Sequence, residues 1–393
     1  MLKQTIADLD ITGKRVFIRV DFNVPLATDG SIGSDARIRK SLPTIQRVME
    51  RGGRVILASH LGRPKNGVGP SLQPVAKRLS ELLGKPVPLA PDCIGPEVEA
   101  MVDGLEPGDV LLLENVRLRP GEEKNDPELA AGFARLADVV VNDAFGTAHR
   151  AHASNVGVAR IVPPAVAGLL MADELDFFHR AMIAPQRPVV ALLGGSKVST
   201  KIQLIESLLG KMDAILIGGA MAFTFILARG GQVGSSLVEP EMLDVARQAE
   251  AKAREAGVAL VLPVDAVISE STDGASKTLV VPADRIPEGW KGLDVGPETV
   301  RLFADHLSKA ACVVWNGPVG MFEVPDFASG TMALAKVIAD GQAMSVTGGG
   351  DTEAAIAQAG VAERISHIST GGGAFLELLE GKDLPGVTVL ADA

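Results

Sequence analysis

Short runs rich in valine, isoleucine and leucine alternate along this chain with longer stretches in which apolar residues recur every three to four positions. The first pattern predicts strands bounded by turns, and the second predicts amphipathic helices. In the first half the strands expected are Val16–Val20, Val55–Ser59, Val110–Leu113 and Val139–Asn142, with helices at Asp35–Arg51 and Pro127–Asp138 among those between them. In the second half strands are expected at Val189–Leu193, Ala214–Ile217, Ala259–Leu262, Val313–Trp315, Ala343–Thr347 and Ile365–Ile368. Helices at Ser199–Leu209, Pro240–Ala256, Glu298–Ser308 and Thr352–Ala359 separate them. The longest apolar stretch, Ala214–Ala228, is too short for a membrane span and is split by Gly218-Gly219, so it reads as a strand turning into a helix.

Alternation of this kind is the signature of parallel βαβ units. Between Pro163-Pro164 and Pro185 the segment AVAGLLMADELDFFHRAM has helical periodicity, so it predicts a connecting helix rather than a loose linker. The expected fold is therefore α/β: two doubly wound (Rossmann-like) parallel-sheet domains, residues 1–164 and 184–383, joined by a helix over 165–183.

Composition narrows the class. The 393 residues suffice for two or three domains of ~150 residues each. With only Cys93 and Cys312, a disulfide framework is excluded and a reducing compartment is expected. The start of the chain lacks an apolar core followed by a small-residue cleavage site, so no signal peptide is expected. A net charge of −10 argues against a nucleic-acid binder. That charge is uneven: 22 Lys/Arg face 23 Asp/Glu in residues 1–184, whereas 16 face 25 in the remainder.

Ligands of open α/β sheets bind beyond the carboxyl ends of the strands, and there the two halves differ. The first-half strands run into Arg19, Asp21 and Asn23; His60 and Arg63; Glu114 and Arg117; and Asn142, Asp143, His149 and Arg150. The second-half strands run into Gly194-Gly195, Gly218-Gly219, Gly317, Gly348–Gly350 and Gly371–Gly373. Arginine forks suit compact carboxylates and phosphates. Glycine turns that open helices let backbone N–H groups approach nucleotide phosphates. Any one Arg, His or Gly pair of this kind is ordinarily loop chemistry; the repetition carries the inference. Lys197 and Lys201 near a helix start oppose the dipole unless an anion is present. Walker A, G-x-G-x-x-G and protein-kinase signatures are absent, as is zinc-ligand spacing. One half suits a small anion and the other a nucleotide, the pairing expected of a small-molecule kinase.

Motifs along nearly the whole chain sharpen that reading. RVDFNVP at Arg19–Pro25, SHLGRP at Ser59–Pro64, ENVR at Glu114–Arg117 and DAFGTAHRAH at Asp143–His152 occupy the first half. GGSKVSTKI at Gly194–Ile202, GGAMAFTF at Gly218–Phe225, WNGPVGMFE at Trp315–Glu323, GGGDT at Gly348–Thr352 and STGGGA at Ser369–Ala374 occupy the second. In order and spacing the chain resembles the phosphoglycerate kinases. The resemblance implies two domains flanking a deep cleft, with Leu384–Ala393 packing back on the first, in a cytoplasmic monomer of glycolysis. It implies reversible transfer from 1,3-bisphosphoglycerate to MgADP, giving 3-phosphoglycerate and MgATP, by direct in-line transfer after domain closure. By position, Asp21, Asn23, Arg37, His60, Arg63, Arg117 and Arg150 would hold the acid, and Arg37 would also reach the phosphoryl in transit. Gly195, Ser196, Lys197, Lys201, Asn316, Glu323, Gly349, Gly350, Asp351 and Thr352 would bind the nucleotide, with Asp351 on Mg2+. Arg37, Lys201 and the N–H groups of Gly350 and Gly372 would stabilise the transition state. No nucleic-acid or membrane partner is expected. Another acyl-phosphate kinase and a non-catalytic metabolite binder remain alternatives; a small acid turned over faster than phosphoglycerate would favour the first. Loss of Arg37, Lys201 or Asp351 would have favoured the second, and all three are present.

Overall fold

The computed structural model describes residues 2–393; residue 1, with which the expected leading domain begins, lies outside the described residues. The chain forms two compact units, Met1–Asp176 with Asp383–Ala393, and Phe177–Lys382.

In the first unit, strands β1 (Arg15–Arg19), β2 (Arg54–Ala58), β3 (Val110–Leu112), β4 (Val139–Asn142) and β5 (Ala165–Ala167) form a parallel sheet in the order β3-β2-β1-β4-β5. Helices α1 (Ala36–Glu50), α2 (Gln73–Leu83), α3 (Pro96–Asp103), α4 (Pro127–Arg135), α5 (Val158–Ile161) and the start of α6 (Leu169–Phe178) accompany it. Val16 and Ile18 share one core with Val55, Leu57, Val110 and Leu112, beneath Ile38, Ile45 and Val48 of α1. Phe17 points the other way and packs on Phe133 of α4, ring centroids 5.5 Å apart. Burial on both faces explains why these strands read as continuous apolar runs. The chain reverses its direction of sheet growth between β1 and β4, so the crevice beyond their carboxyl ends is the expected ligand position.

The helix expected over 165–183 forms, but it begins only at Leu169. Ala165–Ala167 pairs in parallel with Val140–Asn142 as β5, α6 follows from Leu169, and a π-helical turn occupies His179–Ile183. Alanine favours helix in isolation, but a free sheet edge and the breakers Pro164 and Gly168 override that local preference.

The second unit contains eleven strands among the described residues: β6 (Val189–Leu193), β7 (Ala214–Ile217), β8 (Gln232–Val233), β9 (Ala259–Val261), β10 (Asp265–Ser269), β11 (Leu279–Pro282), β12 (Arg285–Ile286), β13 (Lys291–Val295), β14 (Cys312–Asn316), β15 (Met344–Thr347) and β16 (His367–Ile368). Its six-stranded parallel sheet has the order β16-β15-β14-β6-β7-β9. A three-stranded sheet, β11-β10-β13, is antiparallel. The helices are α7 (Ile202–Leu208), α8 (Met221–Ala228), α9 (Leu243–Glu255), α10 (Pro297–Lys309), α11 (Ser329–Asp340), α12 (Gly350–Gln358) and α13 (Gly372–Leu379). Here growth of the parallel sheet reverses between β6 and β14, which again marks a crevice. The tail, with α14 (Pro385–Thr388), belongs to the first unit: Asn142 Nδ2 donates to Gly386 O at 2.9 Å and Ala391 N to Ala165 O at 2.9 Å.

Candidate active site

Beyond β1, β2 and β3 the first unit gathers most of the expected acid-binding groups. Arg37, in the first turn of α1, places Nη1 2.6 Å from Asp21 Oδ2, just past β1. Asn23 Oδ1 accepts from Gly62 N at 2.8 Å, and Arg117 Nη1 donates to Gly62 O at 2.9 Å, so three strand-end loops are tied together. Arg117 is largely buried and pairs with Glu123 at 3.2 Å. His60 is buried against the Arg19 guanidinium, 3.2 Å from Nη2 to Nδ1. Burial, with Arg19, Arg117 and Arg37, holds the imidazole well below its usual range, so it is neutral at physiological pH. Arg63 is exposed on the loop after β2, and exposed Arg150 donates from Nε to His149 Nε2 at 3.1 Å.

The second unit builds its counterpart from backbone. Helices α12 and α13 begin beside each other: a Cβ added to Gly372 would lie 3.4 Å from Gly349 Cα. Their first N–H groups lack intrahelical partners, and two positive dipole ends converge, which suits a polyanion. Close loop contact demands glycine here. A Cβ on Gly194 would collide with the Pro318 carbonyl, and one on Gly219, at φ +68, with the backbone of Gly195. Lys201, the N-cap residue of α7, donates from Nζ to Asn316 Oδ1, while Asn316 Nδ2 donates to Gly348 O at 2.5 Å. Burial lowers the lysine's pKa, opposed by Glu380 and Asp351. A cavity of about 690 Å³ adjoins these loops, with Gly195, Ser196, Ala220, Glu323 and Asp351 in its walls and Phe223, Leu237 and Leu293 supplying apolar surface. That volume suits a nucleotide-sized ligand.

Two expected nucleotide residues have protein partners of their own. The Thr352 hydroxyl is buried, accepts from Gly317 N at 2.8 Å and donates to Gly348 O at 3.0 Å. It holds two loops together, and only its backbone N–H, in the first turn of α12, is left for a phosphate. Lys197 is exposed, and its charge bears on Glu239. Asp351 is an exposed carboxylate on the wall, and no group of three His, Cys, Asp or Glu side chains could cage a metal among the described residues. One carboxylate beside a phosphate site fits magnesium, which keeps waters and phosphate oxygens as its other ligands.

Sequence reasoning missed Arg19 as a support, and missed Glu122, Ser154 and Asp294 entirely. Asp294 accepts from Gly330 N at 2.7 Å and Val295 N at 2.9 Å in the cavity wall, yet burial pushes it up to about 7. A carboxyl whose folded pKa exceeds its unfolded value of 3.8 contributes stability that is full below that value and lost as pH rises towards the folded pKa. Asp294→Asn should therefore approach the parent in stability between pH 4.5 and 7.5, by up to ~1.4 kcal/mol per pH unit. Both tryptophans, Trp290 and Trp315, lie in the second unit, so urea unfolding followed by tryptophan fluorescence isolates that unit. A stability difference independent of pH would refute the shift.

Known proteins share both the sequence and the architecture of this chain. The family profile described as phosphoglycerate kinase matches residues 6–382. The chain is 55% identical over 401 residues to "Phosphoglycerate kinase" of Acaryochloris marina (strain MBIC 11017), covering 100% of both chains. It is 55% identical over 394 residues to "Phosphoglycerate kinase, cytosolic" of Nicotiana tabacum, covering 99% of this chain and 98% of that one. The solved phosphoglycerate kinase of Coxiella burnetii matches with a TM-score of 0.92 at 45% identity, over 98% of each chain. With strand-end loops of the expected chemistry in both units and full-length similarity at this level, the chain belongs to the phosphoglycerate kinase family.

Proposed function

We propose that this chain passes a phosphoryl group directly and reversibly between 1,3-bisphosphoglycerate and MgADP, giving 3-phosphoglycerate and MgATP. Family membership makes it a phosphotransferase of glycolysis with a carboxyl acceptor. The observation that carries the finer reading is the paired start of α12 and α13 beside Lys201 and a nucleotide-sized cavity. An acyl phosphate is already a reactive donor, so no nucleophile is required, and the task reduces to positioning and charge stabilisation of a loose, in-line transition state. Asp21, Asn23, Arg37, His60, Arg63, Arg117 and Arg150 orient the acid. Gly195, Ser196, Lys201 and Glu323 border the nucleotide, Asn316 holds Lys201, and Gly349 and the first turn of α12 take the phosphates. Asp351 holds the magnesium that arrives with the nucleotide. When bound, magnesium would neutralise phosphate charge. Arg37, Lys201 and the N–H groups of Gly350 and Gly372 meet the equatorial oxygens as charge spreads over them.

A coupled assay with 3-phosphoglycerate and MgATP tests the activity; no turnover, or faster turnover of another small acid, overturns it. Direct transfer predicts inversion at a chiral phosphorus, whereas retention would require a phosphoenzyme. The acid-binding residues belong to one unit and the nucleotide-binding residues to the other, yet the reacting atoms must come within roughly 3–3.5 Å. We therefore expect closure driven by both ligands together, since each alone has little differential affinity for the closed state. Small-angle scattering should show a smaller radius of gyration with both ligands saturating than with none, 3-phosphoglycerate or MgADP. An unchanged value in the ternary sample counts against closure. A cytoplasmic monomer completes the reading: light scattering checks the mass, and cell fractionation checks the compartment. The Nicotiana tabacum relative is itself named cytosolic, and no helix among the described residues is long and apolar enough to cross a membrane.

A further inference from the structure

Beneath the acid-binding loops lies a buried carboxylate that the proposed reaction does not use. Glu122 is 0% exposed, between Arg117 and α4. Its Oε1 accepts from the Ser154 hydroxyl at 2.5 Å and its Oε2 from Ser154 N at 3.0 Å. The single hydroxyl proton of Ser154 is thus committed to Glu122, which leaves the oxygen's lone pairs for Arg19, whose Nε donates at 2.8 Å. Arg19, 1% exposed, gives Nη1 to the Val20 carbonyl and Nη2 to His60 Nδ1. A guanidinium can only donate. Nδ1 of a neutral His60 must then accept, and the ring proton resides on Nε2. Nearby His152, with Nδ1 3.7 Å from Glu122 Oε1, is held down to about 4 by burial and by Arg19, Arg117 and Arg150, so it does not compete as a cation.

We propose that Glu122 is a positioning residue: through Ser154 and Arg19 it fixes His60 as the Nε2–H tautomer, making His60 a hydrogen-bond donor to the acid substrate. This rests on the assignment of His60 to the substrate site. The rival role for Glu122 is only to offset the buried charge of Arg19. Ser154→Ala separates the two, because it leaves both charges in place and removes the atom that joins them.

The test uses the full chain labelled with ¹⁵N-histidine, with His60 assigned by loss of its signals in His60→Gln. The parent should show one His60 tautomer, protonated at Nε2. Ser154→Ala and Glu122→Gln should show mixed tautomers and a KM for 3-phosphoglycerate raised about fivefold, the loss of one hydrogen bond, with the KM for MgATP unchanged. Should Glu122→Gln fail to fold, Ser154→Ala decides alone. A single unaltered tautomer in folded Ser154→Ala, alongside a raised KM in His60→Gln, overturns the relay but leaves the site assignment standing. An unchanged KM in His60→Gln overturns the substrate half, while the tautomer populations still judge the chain from Glu122 to His60.

Discussion

Arg37→Ala is expected to lower turnover by about 10²–10³, the usual loss when one charge partner of a transition state is removed. Folding should be preserved, because the side chain is 41% exposed and its ion pair is with the single carboxylate of Asp21. The structure adds a second contribution. Without Arg37, the mostly buried Asp21 carboxylate loses its ion-pair partner where an anionic substrate must approach. The loss should therefore shrink in Asp21→Asn/Arg37→Ala, and a double-mutant cycle apportions the two effects. Steady-state kinetics with 3-phosphoglycerate and MgATP, alongside circular dichroism, decides the matter. A folded Arg37→Ala protein with more than half the parent turnover removes Arg37 from the reaction.

Lys201→Ala should have the second-largest effect, a loss of about 10²-fold in kcat/KM for MgATP, because a partly buried ammonium at a phosphate site is not replaced by solvent. It also strands Asn316, a residue 2% exposed, whose Oδ1 accepts from Lys201. An unsatisfied buried amide oxygen costs ~1–3 kcal/mol, so the second unit should unfold at lower urea. Asn316→Ala removes the tether and keeps the charge. Its expected loss is nearer tenfold, with 3-phosphoglycerate affinity unaffected. If Lys201→Ala retains parent kcat/KM for MgATP within twofold, the lysine does not meet the phosphates.

The strand ends were legible because two independent regularities coincide there. Doubly covered strands leave unbroken apolar runs such as Val139–Val141, and the residue types that follow them are set by ligand chemistry rather than packing. Helix α8 was legible for a similar reason: nearly every residue in Met221–Ala228 is buried, and burial on all sides leaves an unbroken apolar stretch after Gly218-Gly219. Local pattern failed wherever a distant partner decides the structure. Ala165–Ala167 becomes a strand because β4 offers it an edge. The β11-β10-β13 sheet gathers short, partly exposed strands whose pairing no period reveals. Ser154 and Arg19 lie 135 residues apart, so neither announces the other. Thr352 carried a phosphate motif, yet cross-loop hydrogen bonds absorb its hydroxyl. Spacing shows which residues share a neighbourhood but not how their hydrogen-bonding capacity is divided.

The tail of the first unit has a consequence for how the protein is made. Asn142 reaches Gly386, Ala165 receives Ala391, and Gln4 donates to Ala391 O while accepting from Ala167 N, so the β5 edge is completed by residues from both ends of the fold. A ribosome releases residue 386 only after the whole of Phe177–Lys382, at about 5–20 residues per second. Throughout that interval the first unit must wait with the β5 edge only partly covered, by Gln4 alone, and with an unpartnered buried amide at Asn142. The second unit, one continuous stretch of chain, meets no such delay. Order of synthesis and order of completion are thereby inverted: the unit that emerges first is the one that finishes last.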